Sequence, residues 1–261
     1  MNIPHPHQLF DFSSQVAIVT GSGSGLGSGI ALRFAEAGAK VVVNYRSSET
    51  GAQAVVKEIE NLGGSAVAVQ ADVSQKAGAT RLVEEAVHHF GQLDVLINNA
   101  GLYPLSLLVD MAEEEWDLVI DSNLRSTFLC TQAAAKQMIA QGSGGAIVNT
   151  ASIEGENPAP MHSHYVAAKG GILMYTAAAA QELGAHDIRV NAVMPGLIWR
   201  EGIEQAWPEG VARWQKSAPL KRLGLPSDVA DACLFFASPA ARWITGASLR
   251  VDGGVLTSQT Y

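Results

Sequence analysis

Three residues of this chain have the types and spacing to move a proton to or from oxygen. Tyr165 and Lys169 stand in the run Tyr-Val-Ala-Ala-Lys, and Ser152 lies thirteen residues before the tyrosine. On a helix, an i, i+4 spacing puts Tyr165 and Lys169 on one face. A free tyrosine has a pKa of about 10 and is a poor base at neutral pH. A neighbouring ammonium stabilises the phenolate and brings that value toward the useful range. Ser152 follows the apolar run Ile147–Ala151 and is placed to hydrogen-bond a carbonyl or hydroxyl oxygen. Such a set suits proton transfer coupled to hydride transfer. It lacks the His-activated nucleophile of acyl chemistry: His162 and His164 flank Tyr165, but the sequence places no acid to orient them. In isolation a Tyr-x3-Lys pair reads more readily as a surface helix pair.

A second motif lies near the start of the chain. Thr20-Gly21-Ser22-Gly23-Ser24-Gly25-Leu26-Gly27 falls between a predicted strand and a predicted helix. The spacing is GxxxGxG, through Gly21, Gly25 and Gly27, and not GxGxxG. Glycine permits the tight turn, lets backbone approach a pyrophosphate and allows close helix–sheet packing. A bare glycine motif is weak by itself, and a βα turn that binds nothing remains the alternative. The second predicted strand ends Asn44-Tyr45-Arg46-Ser47. NAD selectivity usually places Asp or Glu here for the ribose hydroxyls. Arg46 with Ser47 instead suits a 2′-phosphate, which favours NADP(H) and leaves NAD(H) open. The plainer reading of Arg46 is a solvated loop cation.

The elements that position these groups alternate. Strands are predicted at Val16–Thr20, Lys40–Asn44, Ala66–Gln70, Val95–Asn98, Ala146–Thr150, Arg189–Val193 and Ser248–Val251. Helices are predicted at Gly25–Ala37, Thr50–Leu62, Ala77–Phe90, Glu113–Ala140, Ser163–Leu183 and Ser227–Phe236, with Trp199–Lys216 less regular. The strands are continuous apolar runs, which implies burial on both faces of a parallel sheet. Strand–helix alternation implies right-handed crossovers, hence an α/β, Rossmann-type, doubly wound seven-stranded parallel sheet with helices on both faces. Ligands in such sheets sit at the carboxyl ends of strands near the switch point. No linker or internal repeat divides the chain, so residues 1–13 read as a flexible tail and 14–261 as a single nucleotide-binding catalytic domain.

Composition sets the outer limits. The chain has 261 residues, 48% hydrophobic and 16% charged, which suffices for a sizeable core and excludes bulk disorder. A net charge of −8 with no basic block disfavours nucleic acid as a partner. No apolar stretch is long enough to predict a membrane span. Met1–Ser14 lacks the pattern of a signal peptide, and the separated Cys130 and Cys233 read as reduced, buried thiols, so a cytoplasmic location is expected. His5 and His7 offer at most adventitious metal ligands.

Taken together, the motifs resemble the short-chain dehydrogenase/reductase family, single-domain type. The matching residues are Thr20-Gly-x3-Gly-x-Gly27, Asp72-Val73, Asn98-Asn99-Ala100-Gly101, Asn123, Ser152, Tyr165-x3-Lys169, Asn191 and Pro195-Gly196, in the family's order over about residues 14 to 254. The resemblance implies an NAD(P)-dependent oxidoreductase that exchanges a hydride with a carbonyl or secondary alcohol. It implies that Tyr165 is the general acid/base and that Ser152 positions the substrate oxygen. Lys169 would bind the nicotinamide ribose and lower the Tyr165 pKa, and Asn123 would hold a relay water. Cofactor contacts are implied at Gly21, Ser24, Gly25, Leu26, Gly27, Asn44, Tyr45, Arg46, Ser47, Asp72, Val73, Asn99, Ala100, Gly101, Tyr165, Lys169, Pro195, Gly196 and Ile198. No metal is required. One departure is Arg200, which stands where the family usually has threonine after Pro-Gly-x-Ile-x. Another is Ser24, where NADP-preferring relatives often carry a basic residue. The alternative class, a scaffold that binds dinucleotide without catalysis, has little reason to retain Asn123, Ser152, Tyr165 and Lys169 together.

Substrate identity rests on variable loops. Glu154, Tyr103 and Trp199 are the candidate substrate contacts. Acidic residues and tryptophans suit a polyol or sugar, but exposed loop charges and a sealing lid account for them equally well. The pattern resembles both 3-oxoacyl-carrier-protein reductases and glucose 1-dehydrogenases. Alanine runs at Ala133–Ala135 and Ala177–Ala180 permit close helix approach, and the resemblance implies a homotetramer built partly on those helices.

Overall fold

A computed structural model describes residues 4–258. Seven strands, β1 (Val16–Val19), β2 (Lys40–Tyr45), β3 (Ser65–Gln70), β4 (Val95–Asn98), β5 (Gly145–Thr150), β6 (Ile188–Pro195) and β7 (Ser248–Val251), form one sheet in the order 3-2-1-4-5-6-7. Every neighbouring pair is parallel. The chain winds outward from β1 to β3, then returns to β4 on the other side of β1. The carboxyl ends of β1 and β4 therefore flank the crevice in which this sheet class holds ligands.

Both faces of the central strands are covered, as continuous apolar runs predict, whereas the edge strand β7 is largely exposed. Ala17, Val19, Val41 and Val43 point to one face, against Ile30 and Phe34 of α1 (Gly25–Glu36), Val55 and Ile59 of α2 (Glu49–Asn61) and Val229 and Phe236 of a later helix. Val16, Ile18 and Val42 point to the other face. There they meet Leu82 and Val83 of α3 (Lys76–Phe90) and the buried side of two long helices. Each such side chain, fully withdrawn from water, contributes on the order of 1.5–3 kcal/mol.

The predicted helix from 113 to 140 is interrupted. α4 (Glu113–Ile120) and α5 (Ser126–Gln141) are joined by a π-helical turn over Asp121–Arg125. At this turn Ser126 Oγ donates to the Ser122 carbonyl and Thr127 Oγ1 to that of Asn123, both at 2.7 Å. Bulges of this kind recur at functional sites, and this one carries Asn123. Then follow α6 (Ser163–Leu183), α7 (Ile203–Ala206), α8 (Pro208–Ser217) and α9 (Pro226–Ala237). The segment read as less regular thus holds two short helices, with Pro208 at the first position of α8. Of the alanine runs, Ala134, Ala135, Ala179 and Ala180 are buried in the core, whereas Ala177 and Ala178 are exposed.

The segment predicted as a flexible tail has structure of its own. Residues 1–3 lie outside the described residues. Pro6–Gln8 forms a short 3-10 turn, and Phe12 is fully buried edge-on against Phe34, with ring centroids 5.3 Å apart. Among the described residues, no helix is long and apolar enough to cross a membrane.

Candidate active site

The glycine turn leaves β1 and enters α1 through two left-handed glycines, Gly21 (φ +63°) and Gly25 (φ +59°). A Cβ on Gly21 would lie 2.9 Å from Ala100 Cα, and one on Gly27 would lie 2.4 Å from the Gly21 carbonyl. A Cβ on Gly25 would meet nothing, so this glycine borders open space. Ser24, at the N-cap of α1, makes no side-chain cap, and the first-turn amides beyond it keep their donors for a ligand. This cradle fits the diphosphate of a dinucleotide.

Behind the turn stands a layer of residues that shape it. Asn44 is almost fully buried: its Oδ1 accepts from the Gly21 amide, and its Nδ2 donates to the Val69 and Ala71 carbonyls. Tyr45 is likewise in the core, beside the position a Gly23 Cβ would take. Both residues, expected as cofactor contacts, lie buried behind the loop. Asn99 is a second brace, donating to the Thr20 and Gly21 carbonyls, and Thr20 Oγ1 accepts from the Asn99 and Ala100 amides. Arg46 and Ser47, one step further along, are exposed. Asp72 is part-buried and accepts from the Ser74 amide and hydroxyl, next to buried Val73.

The chemistry-bearing residues meet at the carboxyl ends of β4, β5 and β6. Ser152 follows β5, and Tyr165 and Lys169 share a face of α6. The Ser152 hydroxyl lies near enough to the Tyr165 phenol to favour its ionised form. Lys169 Nζ donates to the Thr150 carbonyl at 2.7 Å and lies 5.4 Å from the Tyr165 ring centroid. Asn123 Nδ2 donates to the Leu102 and Val119 carbonyls, while its Oδ1 is buried without a partner among the described residues. Gly101 abuts that oxygen so closely that a Cβ would lie 2.3 Å from it.

Electrostatics differ here from the sequence-based expectation. Burial pushes the Tyr165 phenol above its ordinary value; the nearby Ser152 hydroxyl opposes this, and the charge of Glu154 raises it further. Lys169 does not reverse this, because burial pulls the lysine itself down to about 7 and weakens the charge it would offer. An unfolded lysine holds its proton to about pH 10. Between these values the unfolded chain binds more protons than the folded one, so Lys169 makes stability rise with pH in that window. We expect wild type to gain about 2 kcal/mol relative to Lys169→Met between roughly pH 7 and 9. Urea unfolding at the two pH values measures it, and a constant difference would mean that the lysine keeps its proton in the fold.

One pair escaped the sequence reading. The acid that seemed missing is Glu154, whose Oε2 lies 2.8 Å from His162 Nδ1. Both side chains are largely buried, and the His162 ring lies 5.7 Å from that of Tyr165. The signal was the placing of an acid two residues after Ser152 and a histidine three before Tyr165. Tyr103, from the loop after β4, is exposed with its ring 6.1 Å from Tyr165. At the end of β6, Pro195 is buried and Gly196 lies against the Trp214 ring of α8. Ile198 bridges to Gly224 and is part-buried. Trp199 and Arg200 are exposed, so Arg200 faces water where a hydroxyl contact was the usual arrangement.

Comparison with known proteins agrees with this geometry. A family profile described as enoyl-(acyl carrier protein) reductase matches residues 21–256. A 3-oxoacyl-[acyl-carrier-protein] reductase of Staphylococcus aureus is 43% identical over 239 residues, covering 92% of this chain and 97% of its own. An uncharacterised oxidoreductase of Methylorubrum extorquens is also 43% identical, over 247 residues, with the same coverage. The crystal structure of a putative short-chain alcohol dehydrogenase from Sinorhizobium meliloti superposes with a TM-score of 0.91 at 37% identity, covering 96% of this chain and 100% of that one. A dinucleotide cradle on β1 and a Ser–Tyr–Lys set beyond β5, on a sheet shared with these relatives across nearly the whole length, identify the chain as a member of the short-chain dehydrogenase/reductase family, an oxidoreductase that works with a nicotinamide cofactor.

Proposed function

We propose that the enzyme interconverts a small-molecule carbonyl and the corresponding secondary alcohol, with Tyr165 giving the proton in reduction and taking it in oxidation. The convergence of Ser152, beyond β5, with Tyr165 and Lys169 on one face of α6 carries this reading, with Lys169 Nζ 5.4 Å from the Tyr165 ring centroid. A bound nicotinamide supplies or accepts the hydride at the carbon. Ser152 holds the oxygen, and Lys169 steadies the ribose side and passes protons toward Asn123. The unpartnered, buried Asn123 Oδ1 supports a water relay at that point. Gly21, Ser24, Gly25, Leu26 and Gly27 would hold the diphosphate. Asp72 and Val73 would flank the adenine, Asn99, Ala100 and Gly101 the adenosine ribose side, and Pro195, Gly196 and Ile198 the nicotinamide.

Arg46 and Ser47 support a preference for NADP(H). They stand exposed at the end of β2, and among the described residues Arg46 forms no ion pair. A charge-assisted bond to a 2′-phosphate is worth roughly 1.5–3 kcal/mol. Arg46→Leu should therefore reduce the NADPH-over-NADH ratio of kcat/KM by about ten- to a hundredfold. Ketones, β-ketoesters and aldoses, each assayed with both cofactors, test the whole reading. Absence of turnover across that panel, with cofactor still bound, would favour a silent dinucleotide-binding protein.

The names of the relatives favour a second substrate class, the 3-oxoacyl thioesters of a carrier protein. The β-ketoester arm of the same panel distinguishes it. We also infer a homotetramer in the cytoplasm. Exposed Leu118, Phe128 and Met174 on α4, α5 and α6 support the assembly, and two free buried thiols, Cys130 and Cys233, suit a reducing compartment.

A further inference from the structure

We propose that Glu154 and His162 form a hydroxyl-recognising pair beside Tyr165, selecting carbonyl substrates with a hydroxyl on the carbon next to the one reduced. Glu154 accepts that hydroxyl, and His162 is the positioning residue that holds the carboxylate. The inference rests on the reading of Tyr165 as proton donor.

The geometry constrains the carboxylate from two sides. A carboxylate only accepts, so at 2.8 Å the His162 Nδ1 carries the hydrogen and donates it to Glu154 Oε2. The Glu154 amide donates to Ser152 Oγ at 3.1 Å, which ties its backbone to the serine that meets Tyr165. The loop is anchored further out as well: Arg250 Nε, on β7, donates to Glu156 at 2.7 Å. The second carboxylate oxygen of Glu154 has no hydrogen-bond donor among the described residues. Its charge still reaches Tyr165, since it opposes ionisation of the phenol. One acceptor oxygen is thus left over, on a carboxylate oriented by His162, within electrostatic reach of the group that serves the reacting oxygen.

A largely buried carboxylate needs donors, and a substrate that covers it without one leaves it desolvated and unpaired. A hydroxyl beside the carbonyl supplies the donor; a methylene does not, and a carboxylate there would be repelled. The rings of Tyr103 and His162 lie 6.1 and 5.7 Å from that of Tyr165, close to where the neighbouring carbon would lie. A missing hydrogen bond to a charged group corresponds to a roughly ten- to hundredfold loss.

The test compares 1-hydroxy-2-butanone with 2-butanone, using NADPH and the intact enzyme. Wild type should favour the hydroxyketone by at least about tenfold in kcat/KM, chiefly through KM. Glu154→Gln and His162→Phe should each cut that ratio at least about tenfold. His162→Asn, whose amide nitrogen can stand where Nδ1 stands, should restore most of it. Calorimetric Kd values for the two ketones read the same ratio where turnover is slow. A ratio within about twofold of wild type in the first two variants, whether both ketones decline together or neither does, overturns the proposal. No preference in the wild type overturns it as well. If Tyr165→Phe keeps its turnover, the proton-donor reading fails, while the hydroxyketone-to-ketone ratio still judges the pair.

Discussion

Tyr165→Phe should lower turnover by about a thousandfold in both directions while leaving cofactor affinity within about twofold. The substitution keeps the ring beside Tyr103 and His162 and removes only the phenolic hydroxyl. A positioned proton donor contributes on the order of 10²–10⁴ to rate. The diphosphate cradle lies at the start of α1, on another strand end, so its affinity has no reason to change. The direction of the phenol's shift adds a pH signature. Because burial raises it above its ordinary value, Tyr165 keeps its proton across the neutral range. Reduction, which needs the protonated phenol, should be nearly independent of this group between about pH 6 and 9. Oxidation, which needs the phenolate, should climb through that range. Initial rates in both directions measure this, and a Phe variant that retains more than a tenth of wild-type turnover would refute the assignment.

Gly27→Ala should weaken NADPH binding about a hundredfold and destabilise the fold by about 1–3 kcal/mol. Its Cβ would lie 2.4 Å from the Gly21 carbonyl, 2.5 Å from Asn99 Nδ2 and 2.9 Å from Ser22 Cα. None of these has room to retreat. Gly21 is left-handed and presses on Ala100, and Asn99 is held by the carbonyls of Thr20 and Gly21. The turn must open, and the amides that would face a diphosphate lose their common focus. Gly63→Ala is the control. That glycine, between α2 and β3, also has positive φ but open space around its Cβ position. It should lose about 1 kcal/mol of stability and keep its affinity. Titration calorimetry with thermal unfolding separates the two, and equal affinity in both variants would show that the cradle tolerates the methyl group.

The sheet was legible because burial on both faces leaves a simple trace, an uninterrupted run of β-branched residues. Val95–Asn98 has the bounds that trace predicts; Ser248–Val251, a largely exposed edge strand, also has its predicted bounds, and the other strands differ by a residue or two. Tyr165 and Lys169 were legible because helical spacing alone places them on one face. What stayed hidden depended on partners distant in the chain or on bonds that leave no period. The π turn at Asp121–Arg125, where two hydroxyls reach back to carbonyls, is a change of winding that hydrophobic periodicity does not register. The bracing bonds of Asn44 stayed hidden because nothing in the second strand announces the Val69 and Ala71 carbonyls of its neighbour. Glu154 and His162 sit in an irregular loop, eight residues apart, where no spacing rule brings an acid to a histidine.

The strand order also bears on how the chain is made. As the first ninety or so residues leave the ribosome, β1, β2 and β3 can pair in sequence, but one side of β1 must wait for Val95–Asn98. Val16–Val19, the most deeply buried strand of the finished protein, is during that interval an open apolar edge. Refolding yield should accordingly fall as protein concentration rises, with intermolecular strand addition at β1 competing against arrival of β4.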